Sequence, residues 1–135
     1  MEQETGDKRM KKYLIDTNIF IDHLKGKEPA KKTLKSLSEA GEVYYSVVTR
    51  IELLAGIREK EIEDVEYLLE IYKEKDVNRE IGERAGRYMH DFFKSHALNI
   101  GDAIIAATAD YLDAELITLN IKHFPMKDIK IKKPY

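Results

Sequence analysis

The sequence predicts an α/β fold, a three-layer α/β/α sandwich in which a central, mainly parallel sheet lies between two layers of helices. Short apolar or β-branched runs alternate with longer segments whose apolar residues recur at helical spacing, as expected for such a sheet. The chain has 135 residues, which suits one domain. Hydrophobic residues make up 43% of it and charged residues 36%, a composition that supports a packed core and argues against a disordered chain.

The domain is expected to occupy residues 11–135. Residues 1–10 are mostly polar and end at a second methionine, so we expect them to form a disordered N-terminal lead. No low-complexity linker or internal repeat divides the remainder, which predicts a single domain.

In chain order, the first predicted strand is the apolar run at residues 12–15. Residues 17–25 follow with apolar side chains at helical spacing, and a glycine ends this helix. A second helix is predicted between Pro29, which suits a first turn, and Gly41. The aromatic and β-branched residues 43–46 then predict the second strand.

Helical spacing returns at residues 48–58, 62–72 and 81–92, with a brief strand predicted near residues 76–77. Three tyrosines in this part of the chain lie at core-like spacing and are predicted to pack in the core, not to stack on bases: Tyr67, Tyr72 and Tyr88.

The last helix covers residues 102–111, which are alanine-rich and apolar nearly all round, so it is predicted to be buried. Strands are expected at residues 115–118 and 129–131. Ligands of such sheets bind beyond the carboxyl ends of the strands, so functional residues should follow strands or open the next helix.

Composition excludes several classes of function. The chain has no cysteine, which excludes disulfides, thiolate catalysis and zinc–thiolate sites. The formal net charge of −2 argues against a generic basic nucleic-acid binder. Two lysine-rich stretches, at residues 25–35 and 122–133, are interpreted as solvated faces.

The chain carries no apolar run long enough for a membrane span and no signal peptide, which predicts a cytoplasmic protein without a membrane partner. Lysine, glutamate and isoleucine abound, glutamine occurs once, and cysteine and tryptophan are absent. These features favour a thermophilic source.

Three acids occupy the positions expected of a functional site. Asp16 ends the first strand, Glu52 lies early in the helix after the second strand, and Asp102 opens the buried helix. Each has a purely structural alternative. Asp16 would cap its helix, Glu52 would complete a capping box with Thr49, and Asp102 would face the positive end of a helix dipole.

Taken together, the three acids predict a metal site. The fold would bring all three carboxylates to one rim, and like charges in a desolvated pocket require protons or cations. Hard divalent cations prefer oxygen ligands, and Mg²⁺ uses few carboxylates together with waters and substrate phosphates. The sequence therefore predicts Mg²⁺ or Mn²⁺ held by Asp16, Glu52 and Asp102 and acting on a phosphodiester.

Four segments resemble the signature segments of the PIN-domain family, and within it the VapC-type toxins. They are Asp-Thr-Asn at 16–18, Thr-Arg-Ile-Glu-Leu at 49–53, Gly-Asp-Ala-Ile-Ile-Ala-Ala at 101–107 and Leu-Ile-Thr-Leu-Asn-Ile-Lys-His-Phe at 116–124. The resemblance covers residue 11 to the C-terminus, in the expected order. It implies a PIN-like fold and a metal-dependent endoribonuclease that hydrolyses RNA with a metal-activated water.

The resemblance also assigns roles to residues and implies partners. Asp16, Glu52 and Asp102 would be the catalytic metal ligands, and Thr17 and Asn18 would hydrogen-bond the acids or the metal waters. Many PIN domains have a fourth acid where this chain has Asn120, so a second metal would need RNA phosphates to complete its site. As the toxin of a type II toxin–antitoxin pair, the protein would bind a cognate antitoxin at the rim and an apolar groove among the early helices. It would also form a homodimer.

Other residues are weaker candidates. Thr118 either lines the site or merely suits its strand. Arg50, Lys122 and His123 are candidate RNA contacts, and for Arg50 an exposed ion pair is an equal alternative.

Three rival functions remain at this point. A response-regulator receiver needs adjacent acids after its first strand, and Thr17 and Asn18 stand there. A haloacid-dehalogenase-type phosphatase needs a second aspartate at residue 18, which is asparagine. A catalytically weak PIN-fold interaction module is compatible with Asn120, although three intact acids argue against it.

Overall fold

The computed structural model describes residues 10–135 and forms the predicted α/β architecture. The expectation of a disordered lead falls on residues 1–9, outside the described part, and on Met10, which is exposed there. The strands and helices, in chain order, are β1 (Lys11–Ile15), α1 (Thr17–Leu24), α2 (Glu28–Ala40), β2 (Gly41–Ser46), α3 (Val47–Ala55), α4 (Ile62–Ile71), β3 (Lys73–Lys75), α5 (Arg79–His96), α6 (Ile100–Leu112), β4 (Glu115–Ile117) and β5 (Lys130–Lys132). Short 3₁₀ turns cover Glu59–Glu61 and Ile121–His123.

The five strands form one sheet in the order β3-β2-β1-β4-β5, and every pairing is parallel. The prediction of a mainly parallel sheet is thus confirmed. Because β1 is the central strand and pairs with β2 on one side and β4 on the other, its carboxyl end lies between theirs.

Alternation along the central strands produces two cores, one on each face of the sheet. In β1, Leu14 packs with α5 and α6, whereas Tyr13 and Ile15 pack with α1, α2 and α4. Strand β4 repeats the pattern, with Leu116 on the first face and Ile117 on the second. Buried apolar side chains on both faces of a parallel sheet give the three-layer arrangement.

Two predictions about individual elements are wrong. The strand expected near residues 76–77 lies at Lys73–Lys75, where Lys73 pairs with Tyr44 of β2. This strand is a charged edge strand, so it shows no apolar run in the sequence. Tyr67 was expected in the core but is 73% exposed, because α4 turns Val65, Leu68 and Leu69 inward. Among residues 10–135 no helix has both the length and the apolar character needed to cross a membrane.

Candidate active site

Asp16 lies at the junction of β1 and α1 and is nearly buried. It is the N-cap of α1, and one of its carboxylate oxygens accepts a 2.8 Å hydrogen bond from the backbone N–H of Thr17. The other oxygen accepts from the hydroxyl of Thr118 at 2.7 Å and from the Asn18 amide at 3.3 Å. Burial raises the pKa of the Asp16 carboxyl, and the charge of Glu52 adds to this, while the hydrogen bonds from Thr118 and Thr17 oppose it. Capping and membership of the rim are therefore compatible roles.

Glu52 is oriented by Thr17. The Thr17 hydroxyl donates to Glu52 Oε1 at 2.5 Å and lies 2.9 Å from the Thr49 hydroxyl. A hydroxyl has one proton, so Thr49 must donate to Thr17 while Thr17 donates to Glu52. The second oxygen, Oε2, lies so close to the backbone of α6 that a Cβ added to Gly101 would be 3.2 Å from it. The Glu52 carboxylate therefore lies against Gly101, the residue that precedes Asp102 in α6.

The capping-box alternative for Glu52 is wrong. Helix α3 begins at Val47, and its N-cap is Ser46, whose hydroxyl accepts from the backbone N–H of Val48 at 3.0 Å. Thr49 is buried inside the helix. The carboxylate of Glu52 is consequently available to the rim.

Asp102 lies in the first turn of α6, which begins two residues earlier than predicted. Its N-cap, Asn99, accepts from the backbone N–H of Asp102 at 2.7 Å and donates its amide to Asp102 Oδ2 at 3.2 Å. The His123 Nδ1 atom lies 3.4 Å from the same oxygen. Burial raises the pKa of Asp102, and the charges of Asp16 and Glu52 raise it further, whereas His123 lowers it.

The three acids form an open rim that is electrostatically coupled. The charge of Glu52 raises the pKa of Asp16, and the charges of Asp16 and Glu52 raise the pKa of Asp102, as expected for neighbouring carboxylates that repel. Among residues 10–135 no three acidic or imidazole side chains, these three acids included, are placed closely enough to hold one metal ion as they stand. Glu52 Oε2 and Asp102 Oδ1 have no hydrogen-bond partner within the described chain. An oxygen-only, partly open set of this kind fits a hard cation that retains water ligands.

The end of β4 closes the site beside Asp16. Thr118 is fully buried and its hydroxyl accepts from the backbone N–H of Asn120 at 3.0 Å while it donates to Asp16. Asn18 Oδ1 accepts from the backbone N–H of Leu119 at 3.4 Å, which ties α1 to the same loop. The side chain of Asn120 is exposed beyond them.

The three candidate RNA contacts have different surroundings. Arg50 forms ion pairs with Glu74 at 2.6 Å and Glu66 at 2.8 Å, so its guanidinium is occupied on the side of β3. Lys122 and His123 lie in the exposed 3₁₀ turn after β4, and His123 contacts Asp102. Thr49 and Asn99 also belong to the site, although neither was selected from the sequence. The Asn-x-x-Asp spacing at the start of α6 could have indicated Asn99. Thr49 gives no local signal, because it contacts the site only through Thr17, 32 residues away in sequence.

Comparisons with known proteins show the family of this chain. The family model described as PIN domain matches residues 13–129. Ribonuclease VapC10 of Mycobacterium tuberculosis is 38% identical over 123 residues, covering 90% of this chain and 92% of the relative. Ribonuclease VapC19 of the same species is 40% identical over 115 residues, covering 84% of this chain and 92% of the relative.

A solved structure has a similar fold. It is a toxin–antitoxin complex from Klebsiella pneumoniae, with 29% sequence identity and a TM-score of 0.78, and the match covers 91% of this chain and 98% of that one. The family match spans most of the chain, and the two relatives exceed 30% identity over nearly their whole length. This chain therefore belongs to the PIN-domain family and, within it, to the VapC ribonucleases.

Proposed function

We propose that this protein is a Mg²⁺- or Mn²⁺-dependent endoribonuclease and the toxin of a type II toxin–antitoxin pair. The observation that carries the proposal is the coupled rim of Asp16, Glu52 and Asp102, in which hydrogen bonds orient each carboxylate. The relatives VapC10 and VapC19 are named ribonucleases, which supports the same activity here. RNA as substrate implies action in the cytoplasm.

Asp16, Glu52 and Asp102 would hold the cation, which supplies an activated water and offsets negative charge on the scissile phosphate. The chain's own contribution is geometric. Thr17 orients Glu52, and Thr118 with Asn18 orients Asp16, so both carboxylates are directed before metal and RNA bind. Asn120 brings an amide and no further charge, so we propose one protein-held cation. A second would depend on RNA phosphates.

Lys122 and His123 are proposed to contact RNA, because both are exposed in the turn after β4 and His123 lies beside Asp102. Arg50 is instead assigned to its ion pairs with Glu66 and Glu74. Three carboxylates repel a polyanion, so affinity must come from the cation and from such flanking bases.

The antitoxin is proposed to bind a groove beside the rim. The groove has a volume of about 320 Å³ and is lined by apolar side chains of α1, α3 and α4, and its charged lining is three acids, Glu52, Glu61 and Asp64, with one base, Lys25. An amphipathic helix would bury its apolar face there, and a basic side chain would meet the acids. The toxin–antitoxin complex from Klebsiella pneumoniae supports such a partner. We also propose a homodimer, supported by exposed apolar side chains such as Ile51 and Ile71.

The test is cleavage of a mixed RNA pool by antitoxin-free protein with Mg²⁺ or Mn²⁺, repeated with EDTA. Asp16→Asn keeps an acceptor for the helix cap, and Asp91→Asn on the exposed surface of α5 is the matched control. We expect EDTA and Asp16→Asn to abolish cutting and Asp91→Asn to leave it unchanged. A folded, metal-binding wild type that cuts no RNA in the pool would support the interaction-module alternative.

A further inference from the structure

The two sides of the catalytic rim differ in charge. On the side of β3, the cation of Arg50 is engaged by Glu66 and Glu74, and that of Lys75 by Asp76. Its basic groups are thus matched by acids, and that side offers little attraction to phosphate.

The side of β5 carries lysines without such partners. Lys32 of α2 and Lys132 of β5 line one open groove of about 230 Å³, together with the hydroxyl residues Thr33 and Ser36. Lys132 and its neighbour Lys133 are exposed, and none of these three lysines pairs with a carboxylate of residues 10–135. The floor of the groove includes Ile117, the residue before Thr118, which connects the groove to the rim.

The last residues of the chain are held against this groove at two points. We call residues 132–135 the C-terminal strap. At its start, the carbonyl of Lys132 accepts from the backbone N–H of Thr118 at 3.1 Å, and Thr118 is the residue that holds Asp16. At its end, the Tyr135 hydroxyl donates to Asp22 Oδ2 at 2.8 Å.

Asp22 is a firm anchor for the strap. Its side chain is only 13% exposed, and its other oxygen lies 3.4 Å from the ammonium group of Lys27. It stands one helical turn after Asn18, which contacts Asp16. Burial and the bond to Asp22 raise the pKa of Tyr135, so its hydroxyl stays a donor at neutral pH. The lysines of the strap are therefore held beside the rim before any ligand arrives, which reduces the ordering cost of binding.

We propose that the RNA strand runs from the catalytic rim across the side of β5, with backbone phosphates on Lys32, Lys132 and Lys133 and the C-terminal strap as one wall of its path. This inference rests on the proposed ribonuclease function and adds the direction in which the substrate extends. Phosphate contacts of this kind position the strand without reading its sequence.

The first test compares wild type with Lys32→Ala/Lys132→Ala, using steady-state cleavage of one RNA from the pool at several salt concentrations. The control is Lys11→Ala, an exposed lysine at the opposite end of the sheet beside Asp113 and Glu115. Each phosphate contact to a single strand contributes about 0.7 to the salt slope of affinity, so two contacts make a fourfold rise in salt cost about sevenfold. We expect KM of the double variant to rise several-fold at low salt, while kcat changes little. A fourfold rise in salt should then raise its KM about sevenfold less than it raises the KM of wild type.

The second test is Tyr135→Phe, which removes only the hydroxyl bond to Asp22. We expect a smaller rise in KM in the same direction, because the lysines remain but the strap is no longer fixed. If wild type cuts RNA and both variants match Lys11→Ala in KM and salt slope, the proposed path is wrong and the ribonuclease function stands. If wild type with metal cuts no RNA, the function and the path fall together.

Discussion

Replacing Gly101 with alanine should separate the stability of the fold from the activity of the site. Gly101 occupies the first turn of α6, where its backbone φ is compatible with any L-residue, and an added Cβ would lie 3.2 Å from Glu52 Oε2. Glu52 must yield by a few tenths of an ångström, yet its other oxygen is held by Thr17 at 2.5 Å. The carboxylate would therefore be displaced or turned within the rim.

Two opposing magnitudes follow from this contact. Alanine in place of glycine within a helix raises the free energy of unfolding by about 0.5–1 kcal/mol, so metal-free Gly101→Ala should be at least as stable as metal-free wild type. Mg²⁺ requires near-ideal ligand distances, and disturbing the support of a ligand typically costs about 10–100-fold in metal affinity or activity. A tenfold weaker site reduces the stabilisation by saturating metal by about 1.4 kcal/mol.

The assay is thermal unfolding in EDTA and in a Mn²⁺ series, combined with RNA cleavage. Gly86→Ala on α5 is the matched control, because an added Cβ there meets no heavy atom of residues 10–135 within 4 Å. We expect both variants to unfold no earlier than wild type in EDTA, and only Gly101→Ala to lose Mn²⁺ stabilisation and cleavage. Wild-type Mn²⁺ response and cleavage in Gly101→Ala would refute the assignment of Glu52 as a ligand placed against α6.

Three further predictions concern charge. Because the pKa of Asp102 is raised, the folded state binds more protons than the unfolded state at pH values above the ordinary pKa of 3.8, and the metal-free protein loses stability as pH rises through the raised pKa. Asp102→Asn in EDTA should therefore lose less stability than wild type between pH 4 and 8, as measured by thermal unfolding. An identical pH profile for the two proteins would contradict the coupling. Arg50→Ala should reduce stability in urea by about 1 kcal/mol or less, since its ion pairs are partly exposed, and should leave KM for RNA unchanged; a several-fold rise in KM would return Arg50 to the RNA-binding surface. Asn120→Asp should raise the number of Mn²⁺ ions bound without RNA from one to two in calorimetric titration, and unchanged stoichiometry would show that residue 120 does not reach the rim.

Much of the fold could be predicted because the signal was local. The apolar runs of β1 and β4 and the helical spacing of α1 and α6 are properties of neighbouring residues, and burial on both faces of the sheet enforces them. Strand β3 had no such signal, since Lys-Glu-Lys at an exposed edge pairs through its backbone alone. Tyr67 was misjudged because a difference of one residue in helical phase moves a side chain from the core to solvent.

The positions of the three candidate acids in the fold could also be predicted, because each follows a strand or lies early in the next helix, at the edge where such folds bind ligands. The groups that orient them were less accessible. Thr118 contacts Asp16 across 102 residues, and Thr49 supports Thr17 across 32, so neither bond leaves a pattern in one stretch of sequence. For Glu52, the local pattern suggested a capping box with Thr49. Because the N-cap of α3 is Ser46, the Glu52 carboxylate instead accepts a hydrogen bond from Thr17 of α1.

The charge of the rim connects this arrangement to the stability of the protein. Folding buries Asp16 and Asp102 and brings them near Glu52, and burial first and repulsion second raise the pKa of both groups. The metal-free fold therefore carries an electrostatic cost that the hydrogen bonds from Thr17, Thr118 and Asn99 only partly offset. A bound cation would remove that repulsion and stabilise the folded state, because the unfolded chain has no such cluster. An amide at residue 120 avoids adding another negative charge to the rim. In the proposed site, the amide that would weaken binding of a second metal would therefore also lower the electrostatic cost of folding before metal and RNA arrive.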